Sequence, residues 1–473
     1  MKTARRITAN FLSLLSAEML SRVVQLAIFI FLARYLGKEA FGIINFSMAF
    51  AMIILIVADF GFSTFLIKEI ATKKNKAAQI VSNSLILKFL LGAASFLIAY
   101  ISLEVLGYGS DVKVISYVMV LFAIVQSFTF VYYSVFRAFE KMYYDAIVKV
   151  IRISLLAAMV YAGFAMNYGL LWIASSFLIT EIAVLFVSAA IAYSKFIPLS
   201  FRASLPFSMR LLSESSLFCF SMAFAGIFMY IDIVIISKIR GNAEVGIYSA
   251  AYNILLALIF IPMMYANAIF PVISRLHISS KNSLSFAYQK SYKYMLIAGL
   301  PVSAGVFVLS RNIINFLYGQ EYGAAVLALK ILSGYMFLRF INIISGFTLS
   351  SMDRQKSRVV SQGATAVMNI ALDLILVPIF GFIGAAIATL ITEVFFFFLY
   401  SYFIIKYGIK NRFFSVAVKP IIAVAAMSVI VSWISDLFYG FIAGALVYGS
   451  MLLILGAFDR EDITLLKRVL KNY

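Results

Sequence analysis

The chain holds one cysteine, Cys219, and one histidine, His277, among 473 residues. A lone thiol cannot close a disulfide within the chain. One thiol and one imidazole cannot build a cysteine- or histidine-based zinc site, a Cys/His nucleophile pair or a Ser-His-Asp triad. Cys219 lies in an apolar run and reads as packing; His277 lies in a polar stretch and reads as a solvated side chain. Proline is scarce, at 7, and Asp, Glu, Lys and Arg together make up only 12% of the chain. Acids are the scarcer charge, 20 against 39 bases, for a net charge of +19. In a soluble protein that surplus would suggest nucleic acid, so where the bases fall decides what it means.

What fills the space is apolar: 64% of residues are hydrophobic and 46 are Phe. A soluble chain of this length could not cover so much apolar surface, whereas a lipid-embedded one need not. Hydropathy marks fourteen segments long enough to span a bilayer, the first at 9–33 and the last at 438–457. Each must be a helix, because nothing else closes its backbone hydrogen bonds in lipid. The first segment carries Glu18 and Arg22 and is followed at once by another span, so it reads as a helix and not as a cleavable signal. With the N-terminus placed in the cytoplasm, 29 of the 39 bases fall on the cytoplasmic side, 7 on the outer side and 3 within spans. That asymmetry supports the span count and places both termini inside. It also accounts for the net charge through anionic headgroups. Residues after Phe458 read as a basic amphipathic tail, with Asp459, Glu461 and Asp462 at its start and Ile463, Leu466 and Leu470 on one face.

The chain also repeats itself. Gly37-x4-Gly42-Ile43 returns as Gly241-x4-Gly246-Ile247, Tyr108-Gly109 as Tyr318-Gly319, and Gly169-x10-Thr180-Glu181 as Gly381-x10-Thr392-Glu393. The order is kept and the offsets are close, at 204, 210 and 212 residues. The expectation is an all-α membrane protein of about 14 transmembrane helices: a six-helix bundle at 1–200, a second at 201–407, and two extra helices with the basic tail at 408–473. Six spans per half is an even number, so the two repeats are parallel. Two related halves are the usual scaffold of a transporter, with the substrate path between them.

Several motifs resemble those of the polysaccharide exporters of the multidrug/oligosaccharidyl-lipid/polysaccharide superfamily. They are Arg34-Tyr-Leu-Gly37-x4-Gly42, Asp59-Phe-Gly61 followed by Lys68-Glu69, and Phe316-Leu-Tyr-Gly-x2-Tyr322. Most specific is Asn369-x3-Asp373-x4-Pro378-x-Phe380-Gly381-x2-Gly384-Ala385-Ala386-x-Ala388-Thr389-x3-Glu393. The resemblance covers nearly the whole chain. It implies a MATE-like architecture and a flippase for undecaprenyl-pyrophosphate-linked oligosaccharide, most similar to the O-antigen repeat-unit exporters. It implies as partners that lipid-linked sugar, membrane lipids and other polysaccharide-assembly membrane proteins, in a bacterial plasma membrane. On physical grounds alone, the small residues from Gly381 to Ala388 permit close helix–helix approach, and Pro378 ends the preceding helix.

Ionisable residues inside a bilayer are expensive and carry a functional hypothesis by default. Arg22 and Arg339 lie near the centres of the first and tenth spans. Lys88 and Arg152 lie about nine and ten residues into theirs, roughly 13–15 Å deep at ~1.5 Å per residue. If the four converge, they make a cationic cavity suited to pyrophosphate, which guanidinium can bind bidentately. Against this, each base can be paired locally, as Arg22 can be by Glu18 four residues earlier. Glu181 and Glu393 are related by the repeat; they either tie helices together or bind a coupling proton or sodium ion. Asp59, Asp232 and Asp373 lie near helix ends, where partial hydration would allow the same ion-coupling role, and Glu18 is a further candidate for it. No metal site or cofactor is expected, apart from a coupling H+ or Na+.

The favoured reading is alternating access: the two bundles rock about the sugar-pyrophosphate head while the polyprenyl tail stays in lipid, and no covalent bond is turned over. A cation-coupled multidrug antiporter of the same superfamily is the alternative, though it calls for an acidic cavity. A lipid-II flippase is another alternative. A membrane oligosaccharide polymerase or ligase would need catalytic groups on an outer face, and the largest outer loop holds only Glu104 and Asp111.

Overall fold

The computed structural model describes residues 2–199, 204–409, 413–459 and 462, with side chains from 16 onward apart from 217, 279 and 413–415. The expected amphipathic tail, other than Asp459 and Asp462, lies outside the described residues. Among the described residues the protein is helical throughout, with two short 3-10 turns and no strand. In chain order the helices are α1 (Lys2–Asp59), α2 (Phe62–Thr72), α3 (Ala77–Val105), α4 (Ser110–Ala138), α5 (Met142–Ala165) and α6 (Leu170–Lys195). There follow α7 (Leu205–Arg240), α8 (Asn242–Leu258), α9 (Phe260–Ser279), α10 (Lys281–Val308) and α11 (Ser310–Tyr318). The last are α12 (Ala325–Ser351), α13 (Gln355–Phe380), α14 (Phe382–Lys406), α15 (Phe413–Ser432) and α16 (Leu437–Ile454).

Among the described residues, twelve helical stretches are long and apolar enough to cross a membrane, and Val416–Ser432 is a shorter apolar one. The longest stretch, Ser16–Thr72, holds the first two spans expected from hydropathy. The two are divided where Gly37 takes φ 72°, ψ 171° within α1. The expectation of about 14 transmembrane helices is roughly met in this way.

Contacts gather the chain into two compact units. The first is Met1–Ser249 with Ala366–Ala385, and the second is Ala250–Thr365 with Ala386–Tyr473. These units are drawn by contact, whereas the 1–200 and 201–407 halves are drawn by repeat. The two descriptions differ over α7, which packs along α1, over the start of α8, and over Ala366–Ala385 of α13 and α14, all gathered into the first unit. In the first unit α4 is the central post, packed against α1, α2, α3 and α6. Phe62, Leu66, Ile80, Val81, Val131 and Phe136 make its apolar core. In the second unit α10 has the corresponding role, touching α9, α12, α15 and α16. The stretch after α16 is clasped to α10: Asp462 accepts from Lys290 at 2.9 Å and from the Tyr294 hydroxyl at 2.8 Å, and pairs with Lys293. Burial pushes the Asp462 carboxyl up, but the hydrogen bonds from Lys293 and Lys290 outweigh it and hold it well below the usual carboxylate range. A depressed carboxylate contributes its stability above the ordinary carboxylate range and loses it only as pH falls through the depressed value. The clasp is therefore fully present at neutral pH.

The first echo of the repeat is kept in conformation. Gly241 takes φ 91°, ψ 174°, close to Gly37 and in a region only glycine enters readily. The other echoes have diverged: Gly109 is at φ −66° against Gly319 at φ 88°, and Gly169 is at φ −75° against Gly381 at φ 59°. The helix starts that follow Gly37 and Gly241 meet through their second glycines. A Cβ on Gly42 would overlap the Asn242 carbonyl oxygen, and a Cβ on Gly246 would overlap the Lys38 carbonyl oxygen. This reciprocal approach is what small residues at helix crossings permit. Glu244 extends the junction, accepting from the Phe382 amide at 2.9 Å, beside Gly381. Gly42→Ala and Gly246→Ala should each force the backbones apart, a loss of about 1–3 kcal/mol read as a lower thermal unfolding midpoint in detergent. Midpoints equal to wild type in both variants would show that this contact does not limit stability.

Candidate functional site

Four helices of the first unit present polar groups to a common space. On α1, Glu18, Ser21, Arg22 and Gln25 recur at helical spacing and so share one face. Opposite them stand Gln126 on α4, Lys149 and Arg152 on α5, and Thr180 and Glu181 on α6. Two adjoining cavities of about 300 Å³ and 200 Å³ share Glu18, Gln126, Lys149, Arg152 and Glu181 as walls. Arg137 lines the first, while Arg22 and Tyr230 line the second.

The charges on these walls form a chain. Arg22 Nε lies 3.2 Å from Glu18 Oε1, and Lys149 Nζ lies 2.9 Å from Glu18 Oε2. Lys149 also approaches Asp145 at 3.4 Å, and Arg137 Nε pairs with Asp145 at 2.7 Å. Arg152 Nη1 stands 3.6 Å from Glu181. Four bases thus face three carboxylates, so the site keeps a positive surplus inside an apolar bundle. Lys149 and Arg137 were not among the expected pathway bases; the structure puts both on the cavity wall. The signal available was Lys149 standing three residues before Arg152, which sets them on one face of α5.

The four expected pathway bases fall in three places. Arg22 and Arg152 line the same cavity. Lys88 lines neither cavity of this unit. It is fully buried with Asp59, both 0% exposed, at 2.6 Å. Lys88 also donates to the Asp59 carbonyl, and the Ser63 hydroxyl donates to Asp59 Oδ2 at 2.8 Å. The pair holds the break between α1 and α2, where Phe60 and Gly61 both take positive φ. Its flexible stem reaches a carboxylate inside the bundle, and a buried charge is held where it is paired. Arg339 belongs to the second unit, where its Nη1 meets Glu393 at 3.4 Å and Asn342 donates to the same carboxylate at 2.8 Å. The repeat-related Glu181 and Glu393 are therefore each tied to an arginine of their own unit. Those arginines come from non-equivalent helices, α5 and α12.

Asp59, Asp232 and Asp373 are buried, where partial hydration was expected. Asp373 and Asp232 bring their carboxyl groups together, and Tyr248 donates to Asp232 at 2.8 Å. Neither oxygen of Asp373 nor either polar atom of Asn369, one turn earlier on α13, has a hydrogen-bond partner among the described residues. No cluster of three or more His, Cys, Asp or Glu is present among the described residues. In the second unit a cavity of about 740 Å³ is lined mainly by apolar side chains of α10 and α12, with Ser303, Lys330, Ser333 and Ser428 as polar exceptions.

Removing one partner of a buried ion pair strands the other charge, typically at about 3–5 kcal/mol. Lys88→Met and Asp59→Asn should each cost that much in unfolding free energy, and the double variant should lose less than the two losses summed. Additive losses in this double-mutant cycle would show that the pair does not act as one.

Comparison with known proteins follows this geometry. The family described as polysaccharide biosynthesis protein matches residues 7–277, and the MatE family matches residues 218–375. A protein of Haloferax volcanii named "probable low-salt glycan biosynthesis flippase Agl15" is 24% identical over 366 residues, covering 76% of this chain and 75% of that protein. Among solved structures, the lipid II flippase MurJ in an inward closed conformation superposes with a TM-score of 0.76 at 16% identity, covering 93% of this chain and 97% of the other. An inward-facing MATE-family multidrug resistance transporter of the MOP superfamily superposes with a TM-score of 0.70 at 17% identity, covering 84% and 98%. The fold is the one these transporters share. The family match spans more than half of the chain, and the protein belongs to the polysaccharide biosynthesis protein family.

Proposed function

We propose that this protein is a flippase that carries a polyprenyl-diphosphate-linked oligosaccharide, the undecaprenyl-linked repeat unit of a surface polysaccharide such as O-antigen, across the bacterial plasma membrane. Both termini lie in the cytoplasm, and the cycle is one of alternating access. The observation that carries this reading is the wall bearing Arg22, Arg137, Lys149 and Arg152 around open space within apolar helices. A diphosphate group brings about two to three negative charges, and guanidinium groups bind phosphate oxygens in bidentate fashion. Gln25, Gln126 and Tyr230 offer hydrogen bonds to sugar hydroxyls beside those bases. The Haloferax relative and MurJ are both named flippases, which supports the same class of activity.

In this reading Asp232, Asp373 and Asn369 hold the coupling ion, H+ or Na+. Two adjacent buried carboxylates repel unless a cation or proton lies between them, and the oxygens of Asp373 and Asn369 are the ligand type sodium prefers. That acidic pair also favours a second reading, a cation-coupled multidrug antiporter, as does the MATE fold.

The test is complementation of a strain lacking its own oligosaccharide flippase, at matched membrane expression. Wild type should restore surface glycan. Arg22→Ala, Lys149→Ala and Arg152→Ala should each reduce it at least about tenfold, the loss of one charge-assisted contact. In the same assay, Asp373→Asn should abolish the dependence of transport on the sodium or proton gradient. Drug resistance without glycan, across a panel of matched glycan backgrounds, would move the assignment to the antiporter.

A further inference from the structure

The three carboxylates beside the basic cavity are not alike. Asp145 is fully buried and held by both Arg137 and Lys149. Glu181 is nearly fully buried beside Arg152. Glu18 differs from both: its side chain is 30% exposed, it lines both cavities, and its two oxygens point to different cations. One oxygen meets Arg22 on its own helix and the other meets Lys149 on α5. The Arg22 side chain is itself 46% exposed. A single carboxylate thus bridges two bases from two helices across open space.

We propose that Glu18 is a built-in stand-in for the phosphate of the substrate. It occupies the anion position between Arg22 and Lys149 when the cavity is empty, and it is displaced when a diphosphate arrives. The inference rests on the flippase reading above and names the residue that sets its affinity. Exposed i,i+4 pairs such as Glu18 with Arg22 are weak, so the exchange is cheap. Lys149 keeps Asp145 as a partner after Glu18 leaves, so no base is stranded during the swap. With Glu18 turned away, four bases face two carboxylates, and the surplus of two positive charges matches a diphosphate. A lipid with a neutral head has no group to take over both bases and cannot compete with Glu18.

The arrangement also serves release. A cavity with four uncompensated bases would hold a diphosphate tightly and turn over slowly, because uniform tight binding does not speed passage. Glu18 returns to Arg22 and Lys149 as the phosphate departs, which lowers the barrier to leaving. The ion pairs of Lys88 with Asp59 and of Arg137 with Asp145 cannot act this way, since their carboxylates are fully enclosed.

The experiment uses the full chain in lipid nanodiscs, with undecaprenyl diphosphate as the probe and undecaprenol as the neutral control. Binding is read by native mass spectrometry and release by chase with excess unlabelled lipid. Glu18→Gln removes the charge and keeps the size; it should bind the diphosphate about tenfold more tightly and release it more slowly. Glu18→Asp, which keeps the charge, should stay near wild type, and Glu18→Ala provides a second neutral variant should Glu18→Gln fail to fold. Wild type and the neutral variant binding with equal affinity would overturn this inference and leave the flippase reading standing. Weaker binding by the neutral variant would overturn it too, by making Glu18 a structural prop. Diphosphate binding no better than undecaprenol in every protein would overturn the cationic site itself, and this inference with it.

Discussion

The cost of an unpaired charge inside an apolar bundle governs the rest of this structure. With only 12% of its residues charged, the chain has few charges to place among its helices, and those placed there are met by partners. Lys88 is closed on Asp59, Arg339 on Glu393, and Arg152 stands by Glu181. These pairs divide by access to space. Lys88 with Asp59 is sealed and shapes a helix break, while Arg22, Lys149 and Glu18 stand around a cavity. The same electrostatic rule therefore produces an enclosed clamp in one place and a charged cavity wall in another.

The repeat sets where such groups stand without making the halves identical. Gly37 and Gly241 keep one backbone conformation, and Gly42 and Gly246 still meet reciprocally. Glu181 and Glu393 keep their repeat positions, yet α5 supplies the arginine in one unit and α12 in the other. The backbone conformation at Gly37 and Gly241 is one that only glycine enters readily. A buried carboxylate needs only some cation within reach, so its partner has been free to move.

Much of the fold was legible in the sequence because bilayer length, backbone satisfaction and basic loops act locally along the chain. The division of α1 at Gly37 and the pairing of Glu18 with Arg22 follow from a turn glycine and an i,i+4 spacing. Other parts depend on distance in space. Nothing in the residues around Lys88 points to Asp59, which lies on another helix beyond a break, and Asp232 and Asp373 come together from α7 and α13. Lys149 and Arg137 were missed as cavity residues because hydropathy does not show which buried carboxylate a base can reach. Both are drawn inward by Asp145, whose fully buried carboxylate requires cations beside it.

The central claim is that a positive, exchangeable site within the bundle carries an anionic lipid-linked sugar. Its most direct test is translocation in vesicles reconstituted with the purified protein. An undecaprenyl-diphosphate-linked oligosaccharide is loaded in one leaflet, and its arrival in the other is followed by accessibility to an added glycosidase. Movement far faster than in protein-free vesicles, with no acceleration of the same sugar on a neutral undecaprenol anchor, is the predicted result. Equal rates with and without protein, or equal acceleration of the neutral-anchored sugar, would contradict the account.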